Sequence, residues 1–363
     1  MIAVDGHNLS NVLVERHHKA AYLESGDMGA HTVGGYYSTG GSATMRCSMK
    51  NATETIYVDG YICLGLKRRN GDGRMAQPDT TRTVGLALEG GGYRGMYTAG
   101  VLDVWMEHGL TCDHMVGVSA GAAFGYNFKS RQIGRAIRYN KAYCADKRYA
   151  SVTSWLRTGD MFNADFAYHE VPIERDPIDL ETYRACPMRF TCVCTDIETG
   201  KAVYHDLPYG DERDIEWIRA SSAIPVATRP VAIDGHKYLD GGVADSIPSA
   251  WLFAQGYDRN VVVLTQPAGF VKQPNSVMPM LRRVFRHYPE FVAALEHRHE
   301  VYNATLDDLA RREAAGEIFV VRPSESVKVP SLCREPDELE RIYQIGRRDA
   351  EATLPALEAY LAE

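Results

Sequence analysis

Three short stretches hold residue types that could do acyl-transfer chemistry. At Gly117–Gly121 the chain reads GVSAG, a G-x-S-x-G between an apolar run and a run of small residues. In a strand-to-helix setting this pentapeptide makes a nucleophile elbow, a sharp turn that lifts Ser119 above the sheet at the positive end of the next helix. A tight turn whose serine merely caps the helix would use the same letters. At Tyr238–Gly242 the chain reads YLDGG. Asp240 ends an apolar run and two glycines follow, so its carboxylate emerges where no bulk stands in the way. A carboxylate within hydrogen-bond reach can accept a serine proton directly, and partial burial would raise its low basicity. In isolation, D-G-G is also an ordinary turn. The third stretch, Val84–Gly95, reads VGLALEGGGYRG. Gly90, Gly92 and Gly95 fit G-x-G-x-x-G, the dinucleotide fingerprint, which gathers backbone N–H groups around an anion. A dinucleotide site also needs an acid at the end of the second strand, about 20 residues on. The nearest, Asp113, precedes that strand, so a nicotinamide cofactor is disfavoured.

Histidine is the usual base for such a serine. His108 falls in the helix before the elbow, His205 and His236 alternate with apolar residues in strand-like runs, and His297 and His299 flank an arginine in a long helix. None occupies a loop after a late strand, where a triad hydrolase keeps its base, and each reads as structural. In order, GGGYRG, Ser119 in GVSAG and Asp240 in DGG resemble the patatin-like phospholipases, serine acyl hydrolases that use a Ser–Asp dyad. Residues 220–248, ASSAIPVATRPVAIDGHKYLDGGVADSIP, are close to that family's wording throughout. The resemblance is strong over 84–254 and looser toward the C-terminus, in the manner of a bacterial branch. It implies an α/β fold, a three-layer sandwich with a mainly parallel central sheet flanked by helices. It also implies Ser119 as nucleophile and Asp240 as general base. The oxyanion hole would come from Gly90, Gly91 and Gly92, chiefly the N–H groups of Gly91 and Gly92, with Arg94 nearby. Gly95, Gly117, Gly121, Gly241 and Gly242 would support these motifs. Arg94 reads either as a tether for the loop or as a charge for the oxyanion or a phosphate head group. The implied activity is hydrolysis of lipid acyl esters, phospholipase A- or lysophospholipase-like, through an acyl-enzyme and with neither cofactor nor metal. A Ser-His-Asp triad esterase and a non-catalytic lipid-binding protein stay open as rivals.

The elements that must position these residues follow from periodicity. TVGLAL and DHMVGVS read as buried strands, and TAGVLDVWMEHG as a helix with Val101, Val104, Trp105 and His108 at helical spacing and Gly109 as its stop. AGAAFGYNF opens a second helix. Strands alternating with helices imply a parallel sheet covered on both faces. MRFTCVCTD, KAVYHD, PVAIDGHKYLDGG with a turn at Asp234-Gly235, NVVVLTQ and EIFVVRP extend it. Cys192 and Cys194 should share one face of their strand, with no second Cys/His pair at zinc spacing. Residues 287–316 form a long helical pattern broken at its start by Pro289, and 337–361 form closing helices. One domain over 82–363 is expected, with a motif-bearing core at 84–254 and an extension at 255–363. Residues 1–80 are rich in Gly, Ser and Thr, show no sustained period beyond a hairpin about Asp59-Gly60, and end in the linker-like KRRNGDGR. They read as a poorly structured appendage or as translated upstream sequence with the true start at Met75. The second is favoured, because little apolar surface offsets their ordering entropy.

Composition bounds the function. With 45% hydrophobic and 24% charged residues the chain can build an ordinary globular core. A net charge of -7 and a pI near 6.0 argue against nucleic acid as a partner. No run approaches the roughly 18 apolar residues that span a bilayer, and the first thirty residues lack the apolar core of a signal peptide. Eight scattered cysteines suit a reducing compartment. The expectation is a cytoplasmic protein with lipid or acyl-ester substrates and peripheral contact at the inner membrane surface. One segment bears on the substrate and another on that contact. SWLRTGDMFNADFAYHEVP holds Trp155, Leu156, Met161, Phe162, Phe166 and Tyr168, which could line an acyl pocket or pack a helical insert. Arg282, Arg283 and Arg286 alternate with Leu281, Val284 and Phe285, which suits an anionic membrane surface or a solvated helix face.

Overall fold

The computed structural model describes residues 82–330 and 333–362, and before them only strand segments. The chain divides into two units, Met1–Thr81 and Arg82–Glu363. In the first, β1 (Val14–Arg16), β2 (Lys19–Ser25), β3 (His31–Tyr37) and β4 (Gly41–Arg46) form an antiparallel sheet in sequence order, and β5 (Thr55–Ile56) pairs with β6 (Leu64–Gly65). The pair β5–β6 flanks the expected turn at Asp59-Gly60, which itself lies outside the described residues. Strands such as HTVGGYY and GSATMR carry no apolar alternation, so periodicity does not announce them.

Among the described residues the second unit holds eight strands: β7 (Val84–Leu88), β8 (His114–Val118), β9 (Arg189–Asp196), β10 (Ala202–Asp206), β11 (Val231–Ile233), β12 (His236–Asp240), β13 (Arg259–Val263) and β14 (Phe319–Val321). Five run parallel in the order β14-β13-β7-β8-β9. β10, β11 and β12 join antiparallel. The expected hairpin turn is present: Ile233 pairs with His236, and Asp234 and Gly235 both have positive φ, 49° and 85°, as a type I′ turn requires.

Helices cover both faces, which the alternation along the strands dictates. Leu86, Leu88, Met115, Cys192 and Cys194 enter one core cluster. Ala87, Val116, Val118 and Val193 enter the other. Cys192 and Cys194 do share a face. The first layer contains α1 (Met96–Glu107), α2 (Ala120–Lys129), α3 (Arg135–Tyr143), α6 (Glu212–Ser221), α8 (Met278–Val284) and α10 (Pro336–Ala362), with α4 (Val152–Thr158) and α5 (Leu180–Ala185) before α6 in the chain. The second contains α7 (Ser249–Phe253) and the C-terminal part of α9 (Pro289–Ala314). The architecture is the three-layer α/β sandwich implied by the resemblance. Where closing helices were expected, a single helix of 27 residues forms. Its buried stripe of Leu339, Ile342, Tyr343, Ile345, Gly346, Ala350, Leu354 and Leu357 is continuous, so packing carries it through Pro355 despite the lost N–H.

Candidate active site

Strand pairing brings the two chemical residues together. Thr191–Thr195 of β9 pair with β10 along one edge. Along its other edge β9 pairs with β8 up to Val118↔Val193, and with β12 from Asp240↔Cys194. β8 and β12 therefore meet head-on, and the residue after Val118 faces the last residue of β12. Ser119 Oγ donates a hydrogen bond to Asp240 Oδ2 at 2.8 Å.

Each partner is held by its backbone. Ser119 has φ 53° and ψ -118° just ahead of α2, the strained left-handed geometry of an elbow. Its N–H donates to Ser221 Oγ at 2.9 Å, and the Ser221 hydroxyl donates to the Val193 carbonyl at 2.6 Å. Small neighbours are obligatory here. A Cβ on Gly121 would lie 2.6 Å from the Leu88 carbonyl oxygen, and one on Gly117 would lie 2.7 Å from the Ala122 nitrogen. Asp240 donates its N–H to the Ala223 carbonyl at 2.8 Å, and its own carbonyl accepts from Thr195 Oγ1 at 2.9 Å. Its second carboxylate oxygen accepts the Gly242 N–H at 2.7 Å. Gly241 packs so closely on β9 that a Cβ would stand 2.0 Å from the Val193 carbonyl oxygen. Burial pushes the Asp240 carboxyl above its ordinary range, opposed first by the Arg298 charge and then by the Gly242 N–H, the Ser119 hydroxyl and Lys272.

The glycine loop follows β7 beside this pair. The N–H of Gly90 is engaged by the Ser246 carbonyl at 3.2 Å, so Gly90 shapes the loop and offers no free donor. The N–H groups of Gly91 and Gly92 have no hydrogen-bond partner among the described residues. Gly92 sits at φ +54° with open space where a Cβ would be, whereas a Cβ on Gly91 would press to 2.8 Å from Thr265 Oγ1. Gly95 lets the loop close on α2, where a Cβ would reach 2.6 Å from that of Ala120. Arg94 Nε is buried and unpartnered among the described residues.

These residues share one cavity of about 360 Å³, lined by Gly91, Gly92, Arg94, Ser119 and Asp240 and by apolar groups such as Phe124, Tyr139, Ile215 and Ile218. Of the aromatics singled out in sequence, Phe162 and Tyr168 line it. Phe166 packs with Tyr149, Ala150 and Val171 instead, and Trp155 and Leu156 face outward. The insert is π-helical over Asp165–Arg175. No histidine lines the cavity among the described residues. His205 stacks on Trp217, His236 approaches Asp196, His108 approaches Glu351, and His297 bonds Glu300.

Sequence reasoning missed four residues. Lys272 and Arg298 line the cavity beside Asp240. Arg298 Nε donates to the Gly242 carbonyl. The Tyr302 hydroxyl donates to Glu89 Oε1 at 2.7 Å, and Glu89 Oε2 accepts the Thr265 N–H at 2.5 Å, which pins the root of the glycine loop. Arg298 and Tyr302 are four apart on α9 and so face the same way. That spacing is present in the sequence, but an arginine between two histidines on a helix carries no mark of the partners it faces. Burial, with the charges of Arg298 and Arg94, lowers the Lys272 ammonium to about 8.

Comparison with known proteins gives a consistent neighbourhood. The patatin-like phospholipase family matches residues 86–250, and a domain family of unknown function, DUF6363, matches residues 288–362. Protein YjjU of Escherichia coli is 28% identical over 73% of this chain and 75% of its own length. Lysophospholipase NTE1 of Scheffersomyces stipitis is 28% identical over 57% of this chain, which spans only 13% of that longer protein. The structure of human GIVD cytosolic phospholipase A2 aligns over 95% of this chain and 74% of its own, at 10% identity and a TM-score of 0.46.

Proposed function

We propose that the chain is a patatin-like phospholipase, as the match of residues 86–250 to that family supports, and that it hydrolyses acyl esters of lipids through a Ser119–Asp240 dyad. The observation that carries this reading is the 2.8 Å bond from Ser119 Oγ to Asp240 Oδ2, made inside an apolar-walled cavity of acyl-chain character. As the Ser119 oxygen attacks the ester carbonyl carbon, its proton passes to Asp240. The carbonyl electrons move onto oxygen, and the free N–H groups of Gly91 and Gly92 receive that charge. Loss of one such donor typically costs about 10²–10³ in kcat. Collapse of the intermediate breaks the bond to the alcohol, which leaves with the proton from Asp240. Water then loses a proton to Asp240 as its oxygen attacks the acyl carbon. The bond to Ser119 breaks, Ser119 regains the proton and the fatty acid departs.

A lipid surface is the proposed working environment. In α8, Leu281 is buried, as is Phe285 just beyond the helix, while Met280 and Val284, four apart, are exposed next to Arg283, the pattern of an interfacial helix face. No helix among the described residues is long and apolar enough to cross a membrane. The six cysteines among the described residues are free thiols, which supports a reducing, cytoplasmic setting.

The test compares fatty-acid release from a lysophospholipid and from p-nitrophenyl esters. Asp240→Asn should lose about 10²–10⁴ in kcat, while alanine at His108, His205, His236, His297 or His299 leaves turnover in place. A histidine variant that abolishes release while Asp240→Asn retains it would move the protein to the triad class. Wild-type protein that binds these lipids without turnover would make it a binding protein.

A further inference from the structure

The dyad needs a nucleophile, a base and an oxyanion donor, yet the same cavity holds cations beyond that need. Lys272 and Arg298 line it together with Ser119 and Asp240, and both lie outside residues 86–250 of the family match. Neither has a carboxylate within salt-bridge distance among the described residues. Lys272 is set in place through its backbone: the Asn303 side chain accepts its N–H at 2.8 Å and donates to its carbonyl at 3.0 Å. Its ammonium rests 4.6 Å above the Tyr302 ring. Arg298 uses Nε on the Gly242 carbonyl, and its Nη2 stands where a Cβ on Gly242 would approach within 3.2 Å. Arg94, the third cation of this wall, has a buried, unpartnered Nε.

The two carboxylates nearby are already engaged. Asp240 uses one oxygen on Ser119 and the other on Gly242. Glu89 uses one on Tyr302 and the other on Thr265. Three cations thus face two occupied carboxylates in a half-buried pocket, within a chain whose net charge is -7. Partly desolvated cations without hydrogen-bonded anions are costly, and the cost is removed by a ligand that brings its own negative charge. The geometry of α9 fits a dedicated role. Leu295 belongs to one core layer and Tyr302 to the other, so the helix passes from one face of the sheet to the other with Arg298 between them. Along that crossing it presents Arg298, Tyr302 and Asn303.

We propose that Lys272 and Arg298 form a phosphate-binding subsite that takes the anionic head group of the substrate, so that lipid phosphates are preferred over neutral acyl esters. This rests on the lipid-hydrolase reading for its occupant, and it assigns the C-terminal extension a part in specificity.

Binding can be read without turnover. Full-length Ser119→Ala protein is titrated by calorimetry, at constant ionic strength, with monomeric dodecyl phosphate, dodecyl maltoside and inorganic phosphate. Dodecyl phosphate should bind about tenfold or more tighter than the maltoside, and adding Lys272→Gln should shrink that preference by about tenfold. Lys272→Arg should restore it, which separates lost charge from misfolding. Equal affinity for the two detergents, or a preference that Lys272→Gln leaves intact, overturns the inference. So does inorganic phosphate binding as tightly as dodecyl phosphate, since that is an anion site with no lipid component. Failure of the hydrolase reading shows elsewhere, as wild-type protein that releases no fatty acid while these titrations stand.

Discussion

Buried carboxyls resist ionisation, yet as the proposed base Asp240 must be ionised to take a proton from Ser119. Its burial raises the pKa, and Arg298 is the largest influence pulling it back. Activity therefore rises with pH as Asp240 loses its proton, and removing the arginine must move that limb upward. Arg298→Gln should shift the acid limb of the kcat–pH profile for a neutral p-nitrophenyl ester to higher pH; an unmoved limb would mean that another group titrates there. The Ser119–Asp240 pair was legible from GVSAG and DGG, because those glycines are dictated by close backbone approach. Arg298 was not, because an arginine between two histidines on a helix reads as solvated until its facing partners, Gly242 and Asp240, are known. Gly90 carried a similar ambiguity: the letters of the loop do not say which N–H is engaged by Ser246 and which are free.

At the scale of elements, the strands of 82–363 and the helices α1, α2, α9 and α10 follow the periodicity, but strand direction does not. An apolar run has the same pattern read up or down, so the parallel sheet expected from βα alternation did not reveal that β12 runs antiparallel along β9. That reversal is what aims Asp240 at Ser119. Helix contacts were equally hidden. α1 crosses α10 where Gly100 faces the Tyr343 carbonyl and Gly346 faces the Tyr97 carbonyl, with Cβ positions only 2.2 and 2.1 Å from those oxygens. Gly346→Ala should cost about 1–3 kcal/mol or more through overpacking, read as a lower urea midpoint with unchanged m. A midpoint within error of wild type would show that the helices can part cheaply.

Across the whole molecule, stability should depend on pH through a group far from the chemistry. His114 opens β8, at the opposite end of that strand from Ser119. It is fully buried between the Tyr257 hydroxyl and Thr191 Oγ1, each at 2.7 Å. Burial, helped by the Arg189 charge, lowers its pKa to about 4. The folded state keeps it neutral while the unfolded chain binds a proton below about 6.5. Its contribution is thus complete above that pH and lost as pH falls toward 4, worth up to about 3 kcal/mol. His114→Gln should flatten the fall in Tm between pH 6.5 and 4; identical slopes would contradict this. Residues 82–363 form their own compact unit, and a chain begun at Met75 is expected to keep the turnover of the full chain. Loss of turnover in that chain would assign the first unit a part in the site. The central claim, that Ser119 is the nucleophile, is tested most directly by labelling with a fluorophosphonate, which forms a phosphonyl ester on the serine oxygen as fluoride leaves. Wild-type protein should take up one equivalent and Ser119→Ala none. Full labelling of Ser119→Ala would contradict the account.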